Sequence, residues 1–202
     1  MEKGGLTSAL AGAGLTADSG VGWADERRVG LRGMVRRVWG RRGVPVRQPV
    51  QLTYQWRYLF VVVDGRAGRV WWEWLPRVSA EALAPLVGGL GLGRTELTGL
   101  VWDRAPAHRD DRMRALGRVI GLALIEQPPY APQLNPAERL IEEIRREIEG
   151  TIYRTLDDKV AAVEAFLAKL EADPARVQRL AGWDWIAQAS HQLPAASPPI
   201  AA

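Results

Sequence analysis

Asp25, Asp103 and Glu138 are three acidic residues at positions where carboxylates could act together. Asp25 follows the strand-like run Val21-Gly22-Trp23-Ala24, and Asp103 follows Leu100-Val101-Trp102. Glu138 falls in the first turn of a helix predicted to begin after Asn135. Carboxylates at the carboxyl ends of strands point into the crevice where α/β folds bind their ligands. Three of them converging would repel one another unless cations held them. Two divalent ions roughly 3.5–4 Å apart, bridged by carboxylate oxygens, are a known solution, and in-line phosphoryl transfer is the chemistry they support. One ion helps generate the nucleophile while the other stabilises the leaving oxygen. Each residue also has a plainer reading. Glu138 fits a capping box with Asn135 at the N-cap and Pro136 at N1. Asp103 could simply open the turn Asp103-Arg104-Ala105-Pro106, and Asp25 could pair with a neighbouring arginine. Spacing alone leaves both readings open.

Composition narrows the choice of metal. The chain has no cysteine, which excludes disulfides and thiolate sites, and its two histidines, His108 and His191, are too few for an imidazole-rich site. Any bound metal would be a hard ion on oxygen ligands. The longest well-defined apolar run, Val119 to Ile125, is far short of a membrane span, and the first residues carry Glu2 and Lys3 without a compact apolar core. Neither a membrane segment nor a signal peptide is expected. Positive charge is concentrated: Arg27 to Val63 contains no Asp or Glu but includes Arg27, Arg28, Arg32, Arg36, Arg37, Arg41, Arg42, Arg47 and Arg57. Such a stretch is either a nucleic-acid footprint or a solvated basic surface.

The elements that must position these groups can be read from periodicity. Residues 1–19 are Gly-rich and without sustained period, and are expected to form a flexible lead-in. Val21 to Asp25 reads as a short buried strand, and Arg27 to Pro49, with its spaced glycines, as short strands or hairpins. Tyr54–Val63 and Arg69–Leu75 read as a hairpin joined by Asp64-Gly65-Arg66-Ala67-Gly68. Ser79 is the expected N-cap of a helix to Leu90. Leu97–Trp102 reads as a strand, Asp110–Leu116 as a helix and Val119–Ile125 as the next strand. A strong helix is predicted over Pro136–Glu149 and another over Leu156–Glu171, followed by Trp183 and Trp185, which would dock the C-terminal segment onto the core. The order predicts an α/β domain over residues 20–150, a helical extension over 151–193 and a flexible tail over 194–202.

The segment Gln127-Pro128-Pro129-Tyr130-Ala131-Pro132-Gln133-Leu134-Asn135-Pro136-Ala137-Glu138-Arg139 resembles the signature of mariner-superfamily DDE transposases and their bacterial insertion-sequence relatives. In that signature the catalytic glutamate lies two residues after the proline of a leucine-asparagine-proline run. Upstream, Val101-Trp102-Asp103-Arg104-Ala105-Pro106-Ala107-His108 resembles the family's aspartate-asparagine-alanine-x-x-histidine block, and Trp23-Ala24-Asp25-Glu26 resembles its first-aspartate block. The separation of Asp103 and Glu138, with 34 residues between them (138 − 103 − 1), is the family's spacing. Arg104 stands where asparagine is usual and Gln127 where leucine is common.

The resemblance implies an α/β, ribonuclease H-like mixed sheet flanked by helices, with Asp25, Asp103 and Glu138 as catalytic residues and ligands of two Mg²⁺ or Mn²⁺ ions. It implies DNA strand cleavage followed by strand transfer. Asn135 and Pro136 would set the glutamate-bearing helix, and His108 would line the site without being a ligand. Asp64, at the end of a well-formed apolar strand, is the rival for the first carboxylate, and the family block favours Asp25. Under this reading the arginines at 27, 28, 32, 36, 37, 41 and 42 would contact double-stranded DNA, both transposon ends and target. A homodimer is expected, as is a cytoplasmic, nucleoid-associated location. Only 24 residues precede Asp25, so a helix-turn-helix region is expected as a separate N-terminal product. The alternative is a catalytically inactive or truncated transposase-derived DNA-binding protein.

Overall fold

The computed structural model describes residues 3–33, 39–47 and 50–195. Five strands form one sheet: β1 (Gly20–Gly30), β2 (Trp56–Asp64), β3 (Arg69–Leu75), β4 (Leu97–Trp102) and β5 (Ala123–Glu126), in the spatial order β3-β2-β1-β4-β5. The first three strands pair antiparallel, whereas β4 joins β1 in parallel and β5 joins β4 in parallel. The helices are α1 (Lys3–Gly12), α2 (Ala80–Gly89), α3 (Asp111–Ile120), α4 (Pro136–Ile148), α5 (Leu156–Glu171), α6 (Pro174–Ala181) and α7 (Asp184–His191). A mixed sheet flanked by helices is the arrangement the sequence led us to expect.

Strand alternation divides the core into two layers. Trp23, Val29, Val61, Val63 and Val101 pack against α4, α5, α6 and α7 through Leu140, Ile144, Leu167, Leu170, Val177 and Ala189. Ala24, Phe60, Val62, Leu100 and Trp102 face α2 and α3 through Leu83, Val87 and Met113. At the hairpin between β2 and β3 the Asp64 carboxylate accepts the N–H groups of Arg66 and Ala67, each at 2.9 Å. Burial raises the Asp64 pKa, and those two backbone bonds oppose the rise.

Three expectations need correction. Residues 3–12, read as flexible, form α1, because Leu6 and Leu10, one helical turn apart, are buried against the first core layer at 0% and 1% exposure. Val119 belongs to α3 rather than to a strand and is exposed. Gly121 ends that helix in the left-handed conformation (φ 69°), and β5 starts only at Ala123. The first strand does not stop at Asp25 but runs on to Gly30, while the described residues between 31 and 55 contain no strand. That segment is broken by Gly33, Gly40 and Gly43, and its Val44 and Val46 are exposed rather than packed. Residues 196–202 of the expected tail lie outside the described residues. Trp185 packs edge-on against Trp23 with ring centroids 6.0 Å apart, which docks α7 on the first layer.

Candidate active site

The parallel pairing of β1 with β4 sets Trp23 opposite Val101. Carrying that register two residues on brings Asp25 opposite Asp103, just where β4 ends at Trp102 and β1 continues beside β2 alone. Asp25 therefore sits at the point where β1 loses a neighbour, on the face that α4 covers. Asp64 lies at the other end of this strand pair, three residues beyond Val61, the partner of Asp25, and its carboxylate is occupied by the hairpin turn. The rival first carboxylate is thus not beside Asp103.

Glu138 reaches this crevice because of Asn135. The buried Asn135 side chain caps α4 by accepting the Ala137 N–H at 3.0 Å, and its amide donates to the Ala24 carbonyl at 2.9 Å. One side chain thus starts the helix and ties it to the residue before Asp25. Pro136 at N1 has no N–H to satisfy. The reciprocal capping bond that Glu138 could have made is not formed among the described residues, in contrast to the complete Thr155–Asp158 box of α5. The Glu138 carboxylate is left to the crevice.

The acids act on one another through their charges. Burial, followed by the negative charge of Glu138, pushes the Asp25 pKa up to about 8, and Glu26 and Asp103 add to the repulsion. A bond from the Glu26 N–H to Asp25 Oδ1 at 2.8 Å offsets part of it. Asp103 moves the other way: its bond with His108 holds it below the usual carboxylate range, against some burial. His108 is buried beneath the site. Burial works against its charge, yet bonds to Asp103 and Glu26 overcome it and lift the pKa to about 10.

An all-carboxylate donor set without sulfur suits a hard divalent ion. A buried acid repelled by its neighbours is also where a cation would relieve most strain. Among the described residues, however, no three His, Asp or Glu side chains stand close enough to hold one ion in their present orientations. One Asp103 oxygen is engaged by His108 at 2.7 Å and by the Ala105 N–H at 2.8 Å. The donor chemistry and charge fit a divalent metal, and the ligand shell is not closed.

Arg27 follows Asp25 on the same face of β1 and lines a groove of about 1160 Å³ between the outer end of β1, residues 50–56 and α4. Arg28 and Arg32 also line it, each guanidinium lying over an aromatic ring, Trp56 at 5.5 Å and Tyr54 at 4.8 Å. Arg41 and Arg42 are exposed, and Arg36 and Arg37 lie outside the described residues. Of the two departures from the family pattern, Arg104 pairs with Glu126 at 3.4 Å. The buried Gln127 amide nitrogen has no hydrogen-bond partner among the described residues.

Residues 21–158 match the family described as DDE superfamily endonuclease. The chain belongs to that family. The match to the DDE superfamily endonucleases takes in β1 through the start of α5, and so contains all three acids and the strands and helix that carry them. No curated protein matches the chain. Among solved structures it is similar to "Mos1 transposase paired-end complex with left transposon end", with a TM-score of 0.68 at 16% identity, covering 95% of this chain and 60% of that one. It is also similar to "Crystal structure of a pre-cleavage Mos1 transpososome", with a TM-score of 0.66 at 13% identity, covering 93% and 61%. A third similar structure is "Crystal structure of the mariner Mos1 paired end complex with Mg", with a TM-score of 0.60 at 14% identity, covering 86% and 56%. These likenesses establish the ribonuclease H-like fold. The chain spans about 60% of the length of the Mos1 chain in the first of these structures.

Nothing in the linear pattern singles out Glu26 as a partner of His108 or Lys159 as a wall of the groove. Glu26 had one usable signal: strand alternation turns it away from Asp25 toward the face that carries Trp102.

Proposed function

We propose that this chain is the catalytic domain of a transposase that cuts and rejoins DNA, with Asp25, Asp103 and Glu138 as ligands of two Mg²⁺ or Mn²⁺ ions. The observation that carries the reading is the Asn135 side chain, which caps the helix that bears Glu138 and donates to the carbonyl of Ala24, the residue before Asp25, and the raised pKa of Asp25 agrees with it. When bound, the ions would generate the nucleophile at neutral pH and stabilise the leaving oxygen of an in-line displacement.

The protein's own part is positioning. The β1–β4 register, carried on from Trp23 opposite Val101, would set Asp25 across from Asp103, and the Asn135 tether between α4 and Ala24 would bring Glu138 toward them. The arginine-lined groove beside Asp25 would hold the phosphate backbone, with Arg27, Arg28 and Arg32 as its donors. In the first step water adds to a backbone phosphorus and the O3′ leaves, taking a proton to become a hydroxyl. In the second, that 3′-hydroxyl attacks a phosphorus of target DNA and displaces another O3′. Each step forms one P–O bond and breaks one, so no nucleotide cofactor is needed.

Mos1 is named in paired-end complexes and in complexes with Mn and with Mg. By analogy the partners of this chain would be double-stranded DNA at element ends and target, a second copy of the chain and a separate helix-turn-helix product. No described helix is long and apolar enough to cross a membrane, and the site of action would be the nucleoid. The inactive alternative has no observation in its favour, and the sequence retains all three acids of the family pattern. The test is joining of an oligonucleotide with a free 3′-hydroxyl to plasmid DNA in Mg²⁺ or Mn²⁺. Metal-dependent joined product is expected. A folded protein that binds DNA yet yields no product with either metal would overturn the proposal.

A further inference from the structure

We propose that Glu26 and His108 are positioning residues that fix the Asp103 carboxylate for metal binding. The inference rests on the reading of Asp103 as a metal ligand and assigns a role to two residues that would not themselves touch the ion. Glu26 is the residue after Asp25, and strand alternation sends its side chain to the opposite face of the sheet. There it meets His108: Nε2 is 3.0 Å from Glu26 Oε1, and Nδ1 is 2.7 Å from Asp103 Oδ1. One imidazole thus ties the two neighbouring parallel strands that bear the site.

The ring has little freedom to move. It lies flat on Trp102, the residue before Asp103, with centroids 4.2 Å apart and planes 5° from parallel. Its backbone N–H closes the turn by donating to the Ala105 carbonyl at 2.9 Å. Only 1% of the His108 side chain and 10% of the Glu26 side chain are exposed, whereas the Asp103 side chain is 60% exposed. An exposed aspartate would otherwise sample several rotamers. Here Oδ1 accepts from the Ala105 N–H at 2.8 Å and lies 2.7 Å from His108 Nδ1, which also faces the Asp103 backbone carbonyl at 3.2 Å, and this leaves Oδ2 as the oxygen available to a cation. Partners of this kind typically account for about 10–100-fold in metal affinity or activity.

Two substitutions of nearly equal size separate this role from simple packing. His108→Asn places an amide nitrogen near the position of Nδ1 and keeps a donor for Asp103, while His108→Gln places one near Nε2 and keeps only the link to Glu26. Mn²⁺ binding by the full chain is measured from the electron paramagnetic resonance signal of free Mn²⁺, beside thermal melting of each metal-free variant. His108→Gln is expected to weaken Mn²⁺ binding ~10–100-fold, and His108→Asn and Glu26→Ala less. Glu26→Gln, which keeps an acceptor, should stay near the parent. Equal affinities for His108→Gln and His108→Asn, or losses that simply follow the fall in melting temperature, would overturn the proposal. Asp103→Asn serves as the control: Mn²⁺ affinity equal to the parent's in that variant would overturn the underlying ligand assignment instead.

Discussion

Ionising Asp25 is disfavoured first by burial and then by the charges of Glu138, Glu26 and Asp103, so its pKa stands at about 8 in the folded chain against an ordinary 3.8. A group that binds its proton more tightly when folded contributes stability that is fully present below about pH 4 and is lost as pH rises through about 8. His108 acts in the same direction over a higher window, from its ordinary 6.5 to about 10. Without metal, the melting temperature should therefore fall between about pH 5 and about pH 9. Asp25→Asn removes one of these contributions. That variant should melt higher than the parent at about pH 9 in EDTA and gain less on addition of Mn²⁺. Differential scanning calorimetry decides it, and a variant that melts lower than the parent at that pH would contradict the view that Asp25 is held under electrostatic strain. At this scale Asp25, Asp103 and Glu138 were legible because each sits at a boundary between predicted elements. Glu26 was not, because its partner His108 is 82 residues away and only the fold brings them together.

For α4, the decisive contacts are those of its N-cap rather than its length. Asn135 both accepts from the Ala137 N–H and donates to the Ala24 carbonyl, and only the first of these helps the helix alone. Asn135→Asp separates the two roles, since aspartate is as good a cap as asparagine but has no amide to offer Ala24. It leaves a buried carbonyl without its donor, at a cost of about 1–3 kcal/mol. The variant should keep its helix content by circular dichroism, melt several degrees lower and cut DNA more slowly. A cutting rate equal to the parent's would show that the tether to β1 does not set Glu138. Elements with a strong local pattern begin and end where the sequence places them: β3, β4 and α5 are bounded as read, and Ser79 caps α2. Those that depend on tertiary packing do not. α1 has a Gly-rich sequence with low helix propensity and is held by the burial of Leu6 and Leu10. The outer end of β1 is basic and polar, and it is drawn into the sheet by pairing with β2 as far as Gly30 opposite Trp56.

Across the whole molecule, charge is divided by location. The acids that would bind metal lie around the point where β1 and β4 part, and Arg27, Arg28 and Arg32 of the acid-free stretch line the groove that begins at the next residues of β1. DNA held along that groove would bring a backbone phosphate past the acids, and α4 forms a wall of both. The arginine-rich stretch was visible in the sequence, but its shape was not, because the groove is completed by α4 and by Lys159 of α5, far along the chain. The most direct test is nicking of supercoiled plasmid by the purified chain in Mg²⁺ or Mn²⁺, beside Asp103→Asn and an EDTA control. Metal-dependent nicking by the parent, lost in Asp103→Asn while the variant stays folded and still binds DNA, is the result predicted. Nicking that survives in Asp103→Asn would contradict the assignment of the three acids as the site of DNA cleavage.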